Sequence, residues 1–178
     1  ANFLGIRLIT VRLTWEDIVK VMDNDSERCY HCKKVIYSSV RNVAEEYGFT
    51  NIIAGENADD RETERPGRRA GTEEGIVYPL LNLKIGRSLI EETIDRMGLP
   101  VQMVKDTCMA TRFPTYTLIN EERVRTVEDC EKAVRMITGV KQLRIRFNDG
   151  EAVLLTGPDE ICRLNDKRDL IVETLRAR

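Results

Sequence analysis

The sequence predicts an α/β fold: a parallel sheet with crossover helices over residues 1–114, followed by a small α+β unit over residues 115–178. Three observations predict it. Strand-like and helix-like segments alternate as β…α-β…α-β up to Pro114. Beyond Pro114, a long helical pattern runs into a strand and an Asn-Asp-Gly hairpin signal. The chain, at 178 residues and 42% hydrophobic content, is long enough to bury a core in one domain or two small ones.

The elements follow in order. Ile6 to Leu13 is rich in β-branched residues and free of Gly and Pro, so it reads as the first strand. Lys33 to Tyr47 reads as a helix, because Ile36, Val40, Val43 and Tyr47 recur on one face and Gly48 stands at a left-handed cap position. Asn51 to Ala54 is a short buried strand closed by Gly55. Glu56 to Gly75 carries seven acidic and four basic residues, three glycines and a proline, and reads as a long surface loop or lid. Ser88 to Met97 is a helix with Ser88 and Glu91 at capping-box spacing. Leu89, Ile90, Ile94 and Met97 are its expected buried face. Val101 to Val104 reads as a strand. Asn120 is placed to cap a helix running to about Ile137, with Val124, Val127, Val134 and Ile137 on one face. Leu143 to Phe147 and Ala152 to Thr156 form the expected hairpin, and Asp166 to Arg176 the last helix.

Composition excludes several classes. The formal net charge is -2, from 28 basic and 30 acidic residues, which argues against a strongly basic nucleic-acid surface. No run of about 18 apolar residues exists, so no membrane span is expected. Ala1 to Gly5 has no basic stretch followed by a long apolar one, so no signal peptide is expected in this segment. His31 is the sole histidine, which excludes multi-histidine metal sites. Chemistry must therefore fall to cysteines, carboxylates or arginines. Five is an odd number of cysteines, and a reducing compartment fits better than a disulfide framework.

In parallel α/β sheets, ligands gather at the carboxyl ends of strands. Cys29-Tyr30-His31-Cys32 precedes a helix, Gly55 to Asp60 follows a strand, and Cys108 follows another, so topology brings all three to one edge. A CxxC before a helix admits a redox dithiol, half a zinc site or ligands of an iron–sulfur cluster. A third cysteine at that edge favours a metal or cluster; the alternative is ordinary small buried residues. Cys130 and Cys162 lie in apolar-patterned segments and are expected in the core. Arg144 and Arg146 share one face of a strand, where two guanidinium groups make a natural phosphate or carboxylate clamp; the alternative is the solvated outer face of a hairpin. Glu131 can face them, and Arg65, Arg68 and Arg69 can meet an anion.

Five blocks together resemble a known family. They are Arg28-Cys29-Tyr30-His31-Cys32-Lys33-Lys34, Gly55-Glu56-Asn57-Ala58-Asp59-Asp60, Arg65-Pro66-Gly67, Cys108-Met109-Ala110-Thr111-Arg112-Phe113-Pro114 and Leu143-Arg144-Ile145-Arg146. In order and approximate spacing they are similar to the LarE family, sulfur transferases of nickel-pincer cofactor biosynthesis within the PP-loop ATP pyrophosphatases. The resemblance implies a Rossmann-like PP-loop domain over 1–114, and a substrate and oligomerisation domain over 115–178. It implies that ATP and Mg2+ adenylate a carboxylate of a pyridinium dicarboxylate mononucleotide, which then becomes a thiocarboxylate. In one branch of the family a cysteine matching Cys108 gives up its own sulfur. In another, cysteines matching Cys29, Cys32 and Cys108 hold a [4Fe-4S] cluster with an extra sulfide. This chain has all three and resembles the cluster branch.

The resemblance further places Gly55, Asn57, Asp60, Arg112, Glu131, Arg144 and Arg146 at the nucleotide, phosphate and metal region, with Glu160 matching an acidic residue there. It implies a cytoplasmic homo-oligomer. The family's SGGxDS loop does not occur in these 178 residues. Ala1 to Ile6 resembles a point beyond it, so the domain is expected to be N-terminally incomplete, a fragment or separate subunit that binds ATP poorly by calorimetry; the alternative is a relative that has lost ATP use. The alternatives are a tRNA thiolation enzyme, which the charge balance disfavours, and a non-enzymatic metal- or cluster-binding accessory domain. A thioredoxin-like dithiol leaves Cys108 and the paired arginines unexplained.

Overall fold

The structure is a computed structural model describing residues 1–62, 65–101, 107–148 and 150–177. The chain divides into two units, one of residues 1–21 and 27–103, the other of residues 22–26 and 104–178. The expected boundary at residue 114 thus falls inside the second unit.

In the first unit, the longest element is helix α2 (Arg28–Glu46), preceded by a single helical turn, α1 (Val19–Met22). No Gly or Pro interrupts residues 28–46, so the helix begins five residues before the expected start at Lys33. The CxxC therefore lies inside its first turn and a half. Its most buried residue is Tyr37, while the expected stripe of Ile36, Val40 and Val43 is half-buried and Tyr47 is exposed.

Part of the expected loop at 56–75 is helical: Ala58–Glu62 is a 3-10 turn, and helix α3 (Pro66–Glu73) packs on α2. Pro66 pre-sets the first helical turn. The packing surface of α3 is Gly67, Ala70 and Gly71, all buried. Large apolar residues are absent there, which is why hydrophobic periodicity missed the helix. A Cβ on Gly71 would stand 1.7 Å from Tyr78 Oη. Gly71→Ala is accordingly expected to destabilise the first unit by about 1–3 kcal/mol, measured by urea unfolding.

The core of this unit is Tyr37, Ile76, Tyr78 and Leu81, with Ile36, Ile52 and Ala54 against it. Both phenol oxygens are buried, and burial pushes the Tyr78 hydroxyl up, with the neighbouring Tyr37 phenol adding to the shift. A short helix α4 (Pro79–Asn82) follows. Of the expected strand at 51–54, Ile53 forms one parallel bridge with Val77, flanked by Ala54 N to Val77 O and Val77 N to Ile52 O, both 2.9 Å.

Other expectations are corrected. Ile6 to Leu13 is irregular and exposed, because no described segment offers its backbone a ladder partner. The expected strand at 101–104 lies, from residue 102, outside the described residues. Helix α5 (Arg87–Arg96) has no buried residue, and Leu89 and Met97 are exposed. Its cap is not Ser88: Arg87 N donates to Asp59 Oδ2 at 2.8 Å, so a carboxylate from a distant loop satisfies the helix start.

The second unit matches its sequence pattern more closely. Asn120 Oδ1 accepts from Arg123 N at 2.8 Å and caps helix α6 (Glu121–Thr138), which ends at the left-handed Gly139. Strands β1 (Leu143–Asn148) and β2 (Glu151–Thr156) pair antiparallel, Leu143 opposite Thr156. The last helical stretch is divided into α7 (Ile161–Asn165) and α8 (Arg168–Arg176). The core is Cys130, Val134, Val140, Leu143, Ile145 and Ile171. Cys130 is buried as expected, but Cys162 is exposed on the short α7, which has no buried residue.

Residues 22–26 join this unit through Asn24. It is fully buried in the left-handed conformation that Asn tolerates, gives Nδ2 to Pro114 O at 2.7 Å, and accepts from Tyr116 N at 2.8 Å. Among the described residues no helix is long and apolar enough to cross a membrane.

Candidate functional site

In the first unit, Cys29 and Cys32 are one turn apart and so share a face of α2. Cys29 is exposed and Cys32 half-buried. None of the five cysteines is in a disulfide. Helix α3 lies against the CxxC: a Cβ on Gly67 would stand 3.0 Å from Lys33 Cγ and 3.3 Å from the Cys29 carbonyl oxygen. Around it, Arg69 pairs with Glu27 and stacks 4.3 Å over the Tyr30 ring. Tyr30 Oη donates to Glu73 at 2.7 Å, and Lys34 reaches Glu74 at 2.6 Å. The bond from Tyr30 and the ammonium of Lys34 hold the Glu73 carboxyl below the usual range.

The N-terminal turn of α3, which carries Gly67, also grips the Gly55–Asp60 turn. Arg65 pairs with Asp60 at 2.8 Å, and Arg68 donates to the Asp60 carbonyl at 2.6 Å and to Glu56 at 3.4 Å. The turn closes on itself through Asn57 N to Asp60 Oδ2 (3.2 Å) and Asp59 N to Asn57 Oδ1 (3.0 Å). A side-chain carbon on Gly55 would meet nothing within 4 Å. So α3 joins the CxxC to the Gly55–Asp60 turn. Arg65, Arg68 and Arg69 each face a carboxylate of the chain itself.

In the second unit, Cys108 is exposed at the head of a 3-10 turn, Met109–Arg112. Arg112 is 1% exposed. It donates Nε to Glu131 Oε1 at 2.8 Å and Nη1 to the Thr107 carbonyl at 2.8 Å. Glu131 also accepts from Arg135 at 2.9 Å and from Ile145 N at 3.0 Å. Burial pushes the Glu131 carboxyl up, but the Arg112 bond, the Ile145 amide and the two guanidiniums outweigh it and hold it low. Arg144 is half-buried and Arg146 exposed, on the face of β1 opposite Leu143 and Ile145. The hydrogen bonds of Glu131 thus run to Arg112, Arg135 and the β1 backbone, not outward across the arginine face. Glu160 accepts from Lys141 N and Gln142 N, at 2.8 and 3.1 Å, and these amides hold its carboxyl low.

Sequence reasoning missed a cleft of about 670 Å³ lined by Phe113, Pro114, Thr117, Asn120, Thr126 and Phe147. The Phe113 and Phe147 rings are near-parallel, 6.5 Å apart. Their only sequence signal is a pair of aromatics beside Arg112 and Arg146. Among the described residues, neither unit holds three His, Cys, Asp or Glu side chains grouped to bind a metal ion.

No family model matches the chain. It is 32% identical over 155 residues to an uncharacterized protein of Methanocaldococcus jannaschii, covering 86% of the chain and 60% of that protein. It is 30% identical over 139 residues to an uncharacterized protein of Synechocystis, covering 78% and 52%. It is also 25% identical over 150 residues to the pyridinium-3,5-bisthiocarboxylic acid mononucleotide synthase of Lactiplantibacillus plantarum, covering 84% and 54%. The chain thus spans only between 52% and 60% of the length of these relatives. One distant relative is a synthase whose name specifies a pyridinium bisthiocarboxylate mononucleotide.

Proposed function

We propose that this chain is the sulfur-donating part of an ATP-dependent sulfur transferase of the LarE type, acting on a carboxylate of a pyridinium mononucleotide. The observation that carries the reading is Cys108, an exposed thiol on a backbone segment locked by a buried arginine. The name of the distant relative, a synthase of a pyridinium-3,5-bisthiocarboxylic acid mononucleotide, supports it. In this reading the α/β nucleotide-binding fold includes the Ile53–Val77 pairing. Gly55, Asn57 and Asp60 lie on the nucleotide side, in a turn whose backbone is preset by its own carboxylate. Arg144 and Arg146 hold the substrate phosphate or carboxylate.

ATP activates the substrate carboxylate as an acyl-adenylate and releases pyrophosphate. A sulfur nucleophile adds to that carbonyl, and AMP leaves with the bonding pair. Where Cys108 itself is the nucleophile, the product is a thioester. Loss of the Cys108 Cα proton then breaks its Cβ–S bond, leaving thiocarboxylate and dehydroalanine.

Cys29, Cys32 and Cys108 are the residues that would hold a [4Fe-4S] cluster. Within its own unit each thiol is unbridged and at least partly accessible, as iron ligation requires. With three protein thiolates, such a cluster would keep one iron free to supply a labile sulfide. The setting proposed is a reducing compartment.

Anaerobic purification with iron and sulfide analysis tests the assignment. About four irons per chain are expected, lost on replacing Cys29, Cys32 or Cys108 by serine. Intact thiols that bind no iron on reconstitution would overturn the cluster and leave Cys108 as its own sulfur source.

A further inference from the structure

Glu131 has no lone pair left for a ligand. Oε1 accepts from Arg112 Nε at 2.8 Å and from Ile145 N at 3.0 Å; Oε2 accepts from Arg135 Nη2 at 2.9 Å and Arg112 Nη2 at 3.3 Å. A carboxylate offers about four acceptor positions, so capturing a cation would require breaking this set. Arg112 is equally committed. Its Nη1 donates to the Thr107 carbonyl and Thr107 Oγ1, both 2.8 Å, and reaches the Cys108 carbonyl at 3.4 Å. The Cys108 carbonyl also accepts from Thr111 N at 2.9 Å and Thr111 Oγ1 at 2.7 Å.

One oxygen therefore joins two pieces of chain. Glu131 Oε1 receives the Cys108 segment through Arg112 and strand β1 through the Ile145 amide. Ile145 lies between Arg144 and Arg146, whose side chains stand on the other face. Arg135 adds a second tie, to the Leu143 carbonyl at 2.8 Å. The 3-10 turn bearing Arg112 packs on both β1 and α6. An apolar cluster of equal volume would stabilise this junction as well as a buried ion pair does. What the pair adds is the fixed angle of a planar guanidinium fork.

We propose that Arg112 and Glu131 are positioning residues that register the Cys108 sulfur against the arginine face of β1, so that an anionic acceptor held by Arg144 and Arg146 meets it. The proposal rests on reading Cys108 as the sulfur donor and the two arginines as an anion clamp. It replaces direct ligand binding by Arg112 and Glu131 with a role in alignment.

Alkylation of the intact chain tests this without any sulfur transfer. Iodoacetate carries a carboxylate, and iodoacetamide is its neutral analogue. Their rate ratio is read by peptide mass spectrometry at Cys108 and at Cys162, which is exposed in the same unit and serves as reference. Cys130, buried, reports unfolding. In the wild-type chain the ratio at Cys108 is expected to exceed that at Cys162 by about fivefold or more. It should fall to the Cys162 value in Glu131→Gln, in Arg112→Lys and in the double variant Arg144→Gln/Arg146→Gln, with Cys130 still unreactive. Amide exchange at Thr111 should quicken at least about tenfold in the first two.

A wild-type Cys108 without anion preference overturns the proposal, whatever the variants do. So does an unchanged ratio in a folded Glu131→Gln or Arg112→Lys chain. Failure of the sulfur-donor reading is seen separately, as a Cys108 that loses no sulfur while its alkylation preference stands.

Discussion

Glu131→Ala is expected to lower the stability of the second unit by about 3–5 kcal/mol at neutral pH, the usual cost of removing one partner from a buried ion pair. The magnitude follows from what remains. Arg112 is 1% exposed and cannot shed its proton, so its guanidinium would stay charged and lose its principal counter-charge. The Ile145 amide, in the middle of β1, would lose its acceptor as well. Replacing both Arg112 and Glu131 by methionine should cost much less, because no buried charge is left.

The pH dependence has a definite sign. The folded-state pKa of Glu131 is held below the ordinary glutamate value of about 4.3. Its contribution is therefore fully present above that value and is lost as the pH falls through the folded-state pKa. Urea unfolding followed at pH 7 and again near pH 3 should show the gap between wild type and Glu131→Gln narrowing in acid. A gap independent of pH would mean that the Glu131 charge is not what stabilises the junction.

Cys108→Ser is expected to leave stability within about 0.5 kcal/mol of wild type, since the side chain is exposed. Sulfur transfer should fall by roughly a thousandfold or more. A serine oxygen can attack an acyl-adenylate, but the product is an ester and carries no sulfur. Cys162→Ser, in the same unit and equally exposed, should leave transfer unchanged.

Much of the second unit was legible in the sequence because its signals are local. Asn120 caps the helix it precedes, Gly139 ends it, and the alternation of Leu143, Ile145 and Phe147 with Arg144 and Arg146 sets the faces of one hairpin. The first unit was less legible for two physical reasons. Helix α3 packs through Gly67, Ala70 and Gly71, small residues that leave no hydrophobic period. Helix α5 is capped by Asp59, a residue 28 positions away, rather than by Ser88 within its own first turn.

The Ile6 to Leu13 segment shows a different limit. β-Branched residues mark strand propensity, but a strand exists only where a partner completes the ladder, and no described residue does so. At the site, residue types pointed to thiols and arginines. They could not show that Arg112 and Glu131 satisfy each other, because nothing in their spacing sets a 19-residue bond apart from an outward-facing pair.

The most direct test of the account supplies the activated substrate ready-made. The chain is incubated anaerobically with the acyl-adenylate of a pyridinium carboxylate mononucleotide, so that no ATP step is needed, and product and protein are analysed together by mass spectrometry. Thiocarboxylate is expected in stoichiometric step with sulfur lost from Cys108 or from a pool that requires it, and none from Cys108→Ser. Thiocarboxylate formed equally well by Cys108→Ser, or AMP released by the wild-type chain with no sulfur transferred, would contradict it.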